Sequence, residues 1–282
     1  MKETIHLYNH FHYGDIFLSR MLIKGLSEKF NIKFYHNLKH GLFNDLTSVE
    51  EVCGVPNNFS LHHTDLKNKI VNTWIGQNNM YYIKNADSIG CSFKNYFRFI
   101  TDVLNYYGIE INEEEFYLPK IDYEKLVDFS LIKENFLQIK NKFKKCILIS
   151  NGKVLSGQSF NFDFTSVIDK LSKEHPDYLF LVTENTGLKN PNIVCTYDIT
   201  KRLPDLLYIG YFATQSDVSI GRASGPYTYY MTHENIIDDS KKIISFNNNS
   251  HEGFFYEKHK FNFIWSNNFD LQNVYTIIKN NI

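Results

Sequence analysis

The stretch that most constrains this chain is Ser216-Asp217-Val218-Ser219-Ile220-Gly221-Arg222-Ala223-Ser224-Gly225-Pro226-Tyr227-Thr228-Tyr229-Tyr230. A short apolar run ends at Ile220. A tight turn follows, in which Gly221 and Gly225 offer backbone angles that other residues resist. Ser224 stands where a helix cap belongs, and Pro226 near the first helical position, which suits its fixed φ. The reading is strand, small-residue turn, helix N-terminus. Free N–H groups and the positive dipole end there make an anion site, with a diphosphate the obvious candidate. The alternative is a capped helix after a buried strand, with no ligand.

A chain of 282 residues has room for one large or two medium α/β domains. Hydrophobic residues at 43% and charged residues at 22% predict a well-filled globular core. The net charge of −1 argues against a nucleic-acid protein working through a broad basic surface. Cys53, Cys91, Cys146 and Cys195 are scattered, with no CxxC pair. That excludes a zinc knuckle or a disulfide framework as the organising device and fits a reducing compartment. No signal peptide or transmembrane span is visible, so a cytoplasmic location is expected, at most peripheral to the inner face of a membrane.

The first half opens as βαβ. Thr4–Tyr8 alternates as a strand, a helix is expected over Ile16–Phe30, and Asn31–Tyr35 reads as a second strand. Between strand and helix lies Asn9-His10-Phe11-His12-Tyr13-Gly14-Asp15. This is not the GxGxxG dinucleotide fingerprint. It offers two imidazoles and a carboxylate at the carboxyl end of the first strand, where a ligand is expected. Asp15 is a candidate general base toward a sugar hydroxyl, or only a helix cap. His10 and His12 line a polar site; metal binding would need further ligands. Asp45–Cys53 reads as a short helix and Lys69–Trp74 as a strand running into Ile75-Gly76-Gln77. Trp74 and Gln77 are candidate substrate contacts, although a Trp is more often packing. Ser92–Tyr107 is a helix with an aromatic stripe facing the core.

Gly108–Asp122 changes character, with Glu113–Glu115 as a solvated acidic run and Pro119 as a boundary. The expected domains are 1–120 and 121–282. Tyr123–Lys145 reads as a helix and Cys146–Ile149 as a buried parallel strand. That strand opens into Ser150-Asn151-Gly152-Lys153 and then Ser156-Gly157-Gln158-Ser159, small polar residues and a lysine suited to an oxyanion, or an exposed loop. A helix over Phe164–Glu174 and a strand over Tyr178–Val182 lead to Glu184, a carboxylate able to accept from ribose hydroxyls, or equally a solvated loop acid. Asn192–Cys195, Lys242–Phe246 and Phe261–Trp265 are further strands; Leu203–Thr214 and Asp270–Lys279 are helices. Each half alternates strand and helix, which predicts an α/β protein of two doubly wound, Rossmann-like domains facing a cleft.

The Gly14-Asp15-Ile16-Phe17-Leu18-Ser19 loop and the Ser216–Ile220 strand with its Ser224-Gly225-Pro226 turn together resemble GT-B glycosyltransferases, most closely the bacterial heptosyltransferase family. The resemblance implies that Asp15 deprotonates the acceptor hydroxyl. It implies that Ser224, Gly225 and Thr228 lie near a donor diphosphate and that Lys153 neutralises phosphate; in the transfer step Arg222 or Lys153 is expected to offset charge on the leaving diphosphate. Asn151 and Gly152 belong to the same donor loop, and Glu184 would meet the nucleoside. The acceptor, a glycan or glycolipid, would lie near His10, His12, Trp74 and Gln77. Such enzymes use a nucleotide sugar as substrate, with neither cofactor nor metal, because dipoles and basic side chains stabilise the leaving group. The turn after Pro226 lacks a histidine, so a heptose donor does not follow. Two rivals keep the fold: a non-hydrolysing nucleotide-sugar epimerase and a non-catalytic carbohydrate-binding protein.

Overall fold

The structure, a computed structural model, describes residues 2–39, 41–59, 64–74, 93–110, 119–155, 157, 159–248 and 262–282. Gln77 with its turn, Glu113–Glu115, Ser156, Gln158 and Cys91 lie outside the described residues. The chain divides into two compact units, the first ending at Lys120 and the second beginning at Ile121.

The first unit is built on a parallel sheet of β1 (Glu3–Asn9), β2 (Phe30–His36), β3 (Val49–Cys53) and β4 (Ile70–Asn72), in the order β3-β2-β1-β4. Ile5, Leu7, Ile32, Phe34 and Val71 are fully or almost fully buried, the pattern of strands covered on both faces. Helices α1 (Tyr13–Leu18), α2 (Arg20–Leu26) and α3 (Phe93–Tyr106) supply the cover. Tyr96, Phe99, Ile100, Val103 and Leu104 form the buried face of α3. Gly25 lets α2 approach it closely: a β-carbon there would stand 2.6 Å from Leu104 Cδ1.

The second unit is a six-stranded parallel sheet: β5 (Lys145–Ser150), β6 (Tyr178–Val182), β7 (Ile193–Cys195), β8 (Val218–Arg222), β9 (Lys242–Phe246) and β10 (Asn262–Ser266). Their order is β10-β9-β8-β5-β6-β7. The chain winds outward from β5 to β7, then restarts at β8 and winds the other way, which is the doubly wound dinucleotide-binding order. Around this sheet lie α4 (Phe129–Lys140), α5 (Thr165–Glu174), α6 (Thr196–Thr200), α7 (Leu206–Thr214), α8 (Gly225–Thr228), α9 (His233–Ile236) and α10 (Leu271–Lys279). Ile147, Ile149, Phe180, Ile220, Ile244 and Phe246 from the strands join Ile168, Leu171, Val274 and Ile278 from α5 and α10 in one core.

Several elements differ from expectation. The helix expected over 16–30 is two short helices beginning at Tyr13. They break at Ser19, whose hydroxyl and amide both bond the Ile16 carbonyl. The helix expected over 45–53 is instead a turn and the edge strand β3. Its acids are spent on tertiary bonds: Asp45 pairs with buried Arg20, and Glu51 accepts from His36 and the amides of Gly41, Leu42 and Phe43. The 123–145 segment opens with a 3-10 turn, Tyr123–Lys125, and becomes α-helical only at Phe129, after Asp128 at φ +61°. The helix expected from Leu203 begins at Leu206, and α6 was not anticipated. Finally, β8 runs two residues further than expected, so Gly221 lies within a strand. Neither Gly221 nor Gly225 takes a positive φ. Gly221 is needed for space: a β-carbon would stand 2.8 Å from Tyr227 Cδ2 and 3.0 Å from Ser150 Cβ.

Candidate functional site

Both sheets are parallel, so the loops after their strands gather along one edge of each. In an open α/β sheet the ligand position is the crevice where the winding reverses. The first sheet reverses between β1 and β4, the second between β5 and β8. Asp15, His10, His12 and Trp74 follow the two strands of the first reversal. Asn151, Gly152, Lys153, Arg222, Ser224, Gly225 and Thr228 end or follow those of the second, and Glu184 follows adjacent β6.

In the first unit the β1 end is a short polar turn. His12 occupies the cap position of α1, and Asp15 sits in that helix's first turn. Burial pushes the Asp15 carboxyl above its ordinary range, while the nearby His12 imidazole and the amides of His12 and Asp15 pull it back. A carboxyl shifted in this direction moves toward the range useful to a general base at neutral pH. His10 meets the edge of Tyr8 at 5.5 Å, and its Nε2 is buried without a hydrogen-bond partner. His12 is exposed. Trp74 stacks on Phe11. Among the described residues no group of three or more His, Cys, Asp or Glu is placed to hold a metal ion.

The second unit stitches three strand ends together. Asn151 donates from Nδ2 to the Glu184 carbonyl at 2.7 Å, and its Oδ1 accepts from the Glu184 amide at 2.8 Å and from Thr183 Oγ1 at 3.3 Å. Glu184 itself is exposed, with its carboxylate lying over Gly152: a β-carbon there would stand 2.5 Å from Oε1. Lys153 is exposed beside it. The rest of the loop is held by Asn161, which accepts from the Val154 amide at 2.7 Å and donates to its carbonyl at 2.8 Å.

Arg222 does not present its charge to solvent. It is 2% exposed, donating to the carbonyls of Phe162, at 2.6 Å, Asn151 and Gly152. Its guanidinium lies 5.4 Å from the ring centroids of both Phe162 and Phe164. Burial lowers its pKa, and the Glu184 and Asp163 carboxylates oppose that shift. Sequence reasoning offered Arg222 as a phosphate contact; its bonded donors hold the loop from which Asn151, Gly152 and Lys153 project.

Ser224 takes the cap position of α8 with extended backbone, and Pro226 lies in its first turn, as read from the sequence. Its hydroxyl makes no capping bond, and α8 is a single turn of four residues. Such a helix carries little macrodipole, so anion affinity at this turn rests on individual N–H groups. Thr228 Oγ1 is turned inward, donating to the Ser224 carbonyl at 3.0 Å. Beneath the turn, Tyr230 OH lies 2.7 Å from Ser150 Oγ and ties the segment after α8 to the end of β5.

Sequence reasoning missed Tyr230 and the strand-ending Asn9 and Asn72, whose Oδ1 atoms accept from the Phe11 and Trp74 amides. An asparagine ending a strand one residue before a loop is a recognisable signal, because its side chain can bond the amide two residues on. The Tyr230–Ser150 pair, eighty positions apart, carries no local signal.

No protein-family model matches the chain, and no curated protein sequence matches it. Solved structures do. The chain is similar to a glycosyl transferase family 9 protein from Veillonella parvula, with TM-score 0.55 and 12% identity over 99% of this chain and 90% of the other. It is similar to the E. coli heptosyltransferase WaaC with ADP-2-deoxy-2-fluoro heptose, with TM-score 0.53 and 8% identity over 99% and 100% of the two chains. The same protein with ADP gives 0.51 at 8% identity and the same coverage. At such identities the likeness speaks for the fold, two doubly wound units on the GT-B plan.

Proposed function

We propose that this protein is a glycosyltransferase that moves a sugar from a nucleotide-activated donor to a hydroxyl of a glycan or glycolipid. The donor binds the second unit, at the reversal between β5 and β8. The acceptor binds the first, near His10 and Trp74. Asp15 takes the acceptor proton as the hydroxyl attacks the anomeric carbon, with inversion, and the nucleoside diphosphate leaves. Lys153 offsets charge on the leaving group, Glu184 accepts from the ribose hydroxyls, and the Ser224–Gly225 amides face the diphosphate. No metal is required in this scheme. The observation that carries the reading is the partly buried Asp15 carboxyl in the first turn of the helix that follows β1, at the reversal point of the first sheet. The solved structures with ADP and an ADP sugar, similar in fold, support a nucleotide-sugar donor. No helix among the described residues is long and apolar enough to cross a membrane. A glycolipid acceptor would therefore be met without a helical span from those residues.

The test is Asp15→Asn. Transfer should be lost while thermal stabilisation by a nucleotide diphosphate persists. Undiminished transfer would remove Asp15 from the mechanism. Conversion of a nucleotide sugar with no acceptor present would mark an epimerase. Absence of any nucleotide-induced stabilisation would mark a non-catalytic carbohydrate-binding protein.

A further inference from the structure

The late turn of the second unit is held from below by two tyrosines. Ser224 and Gly225 open α8, and Ser150 ends the strand from which Asn151, Gly152 and Lys153 follow. The turn has little of its own to fix it: the Ser224 hydroxyl makes no capping bond, and α8 has four residues. Ser150 and Gly221 stand level on the neighbouring strands β5 and β8. The absent side chain at Gly221 leaves room for the Tyr227 ring, whose Cδ2 would lie 2.8 Å from a β-carbon there. Tyr230 meets that ring edge to face, with centroids 5.3 Å apart. Its hydroxyl lies 2.7 Å from Ser150 Oγ and 3.4 Å from the Ile220 carbonyl oxygen.

Ser150, Tyr227 and Tyr230 are all buried, so bulk water does not stand in for this bond. Burial pushes both tyrosine hydroxyls above their ordinary range, so each keeps its proton at neutral pH. The Tyr230 backbone is tied as well. Its amide donates to the Tyr227 carbonyl at 3.0 Å, and Asn235 Nδ2 donates to its carbonyl at 3.0 Å. A shift of α8 relative to β5 therefore pulls Tyr230 off Ser150 and leaves two buried hydroxyls unpaired, which is costly. One hydroxyl pair thus couples the two loops that flank the reversal point of the second sheet.

We propose that Tyr230 is a positioning residue: through Ser150 it locks the Ser224–Gly225 turn to the loop after β5, so that the two loops meet a nucleoside diphosphate as one rigid cradle. Loops already fixed in place have little ordering cost when a ligand arrives. Tyr230 itself, fully buried beneath the turn, touches no ligand in this scheme. Naming the two loops a donor site rests on the transferase reading; the lock between them does not.

Tyr230→Phe keeps the ring and removes the hydroxyl; Ser150→Ala removes the other half of the pair. Amide hydrogen exchange of the free protein reads the lock directly. In either variant the peptide 222–230, whose Thr228, Tyr229 and Tyr230 amides are bonded within the turn, should exchange about tenfold faster, the scale of one lost hydrogen bond. The double variant should be no faster than the faster single one. Peptides from α5 and α10, in the core of the same unit, should not share the gain. Calorimetric titration with ADP, UDP, GDP and CDP, well below the melting transition, should show affinity lowered by about three- to tenfold in both single variants. A merely structural bond would lower the melting temperature and leave affinity untouched. Should Tyr230→Phe not fold, Ser150→Ala makes both comparisons. The lock is overturned if the 222–230 peptide exchanges as in wild type, or if the core peptides accelerate equally. The positioning role is overturned if a nucleotide that binds the wild type binds the variants equally well. If none of the nucleotides binds the wild type, the donor assignment falls with the transferase reading, and the exchange result alone decides the lock.

Discussion

Arg222 Nη2 donates to the carbonyl oxygen of Asn151 at 2.5 Å, while the Asn151 side chain holds both backbone groups of Glu184. The last residue of β8 thus reaches the loop after β6 through one intervening residue. Three strand ends at the reversal point of the second sheet become one bonded assembly. Its exposed members, Lys153 and Glu184, project from a frame whose cation is buried.

That arrangement predicts the behaviour of Arg222 variants. Arg222→Met removes charge-assisted bonds to three carbonyls and should destabilise the protein by about 2–4 kcal/mol. Urea denaturation measures this. Arg222→Lys should recover only part of the loss, because a point charge cannot span the three carbonyls that a planar fork reaches. Full stability in Arg222→Met would show the bonds to be incidental.

Gly152→Ala separates ligand geometry from folding. The new β-carbon falls on the Glu184 carboxylate, which is exposed and able to swing away. Little change in melting temperature is expected, together with a clear loss of nucleotide affinity by calorimetry. Unchanged affinity would take Glu184 out of the ligand site.

Asp15→Asn should stabilise the fold as it removes activity. The folded state raises the Asp15 pKa through burial. The wild-type protein therefore keeps its full stability only below the unfolded carboxyl pKa and loses some as pH rises through the folded value. Asparagine has no such loss. Thermal melts should place Asp15→Asn above wild type at neutral pH, with the gap closing toward acid pH. A gap independent of pH would show that ionisation is not its source.

Asp205 offers the same test away from the proposed chemistry. It is 6% exposed, its Oδ2 has no hydrogen-bond partner, and burial pushes its pKa up to about 6. Stability should fall as pH rises from about 4 to about 6 and then level off. Asp205→Asn should remove that slope and gain up to about 3 kcal/mol above it, the equivalent of two pKa units. Chemical denaturation across this interval tests both the sign and the size.

Gly221→Ala tests packing under the late turn. A β-carbon would press on Tyr227 and Ser150 from inside a strand, where the backbone cannot move aside. A loss of about 1–3 kcal/mol is expected from overpacking. A neutral substitution would mean that the Tyr227 ring has room to turn.

The strands and most helices were legible because their signals are local. Continuous apolar runs such as Cys146–Ile149 can be satisfied only by burial on both faces. Their alternation with amphipathic segments dictates a doubly wound plan. The carboxyl ends of the strands could be named as site positions for the same reason. Asp15 stood out as a candidate because it follows a strand at the start of a helix, and the structure places it in the first turn of α1. The 45–53 segment, read as a helix, is a turn and an edge strand because Asp45 and Glu51 are held by the distant Arg20 and His36, which local sequence does not record.

By itself, then, the sequence determined which segments are buried and on which loops polar residues collect. Only the tertiary structure decided what those residues bond. It placed the Arg222 guanidinium against three backbone carbonyls, and it put Gly221, read from the sequence as a turn residue, inside a strand as a gap for Tyr227. It also brought Phe11 and Trp74, sixty-three positions apart, into a ring stack. The reason is physical: burial follows from the run of apolar side chains along the chain, whereas a hydrogen bond or a ring stack needs two groups within a few ångströms, and local sequence carries no record of that distance.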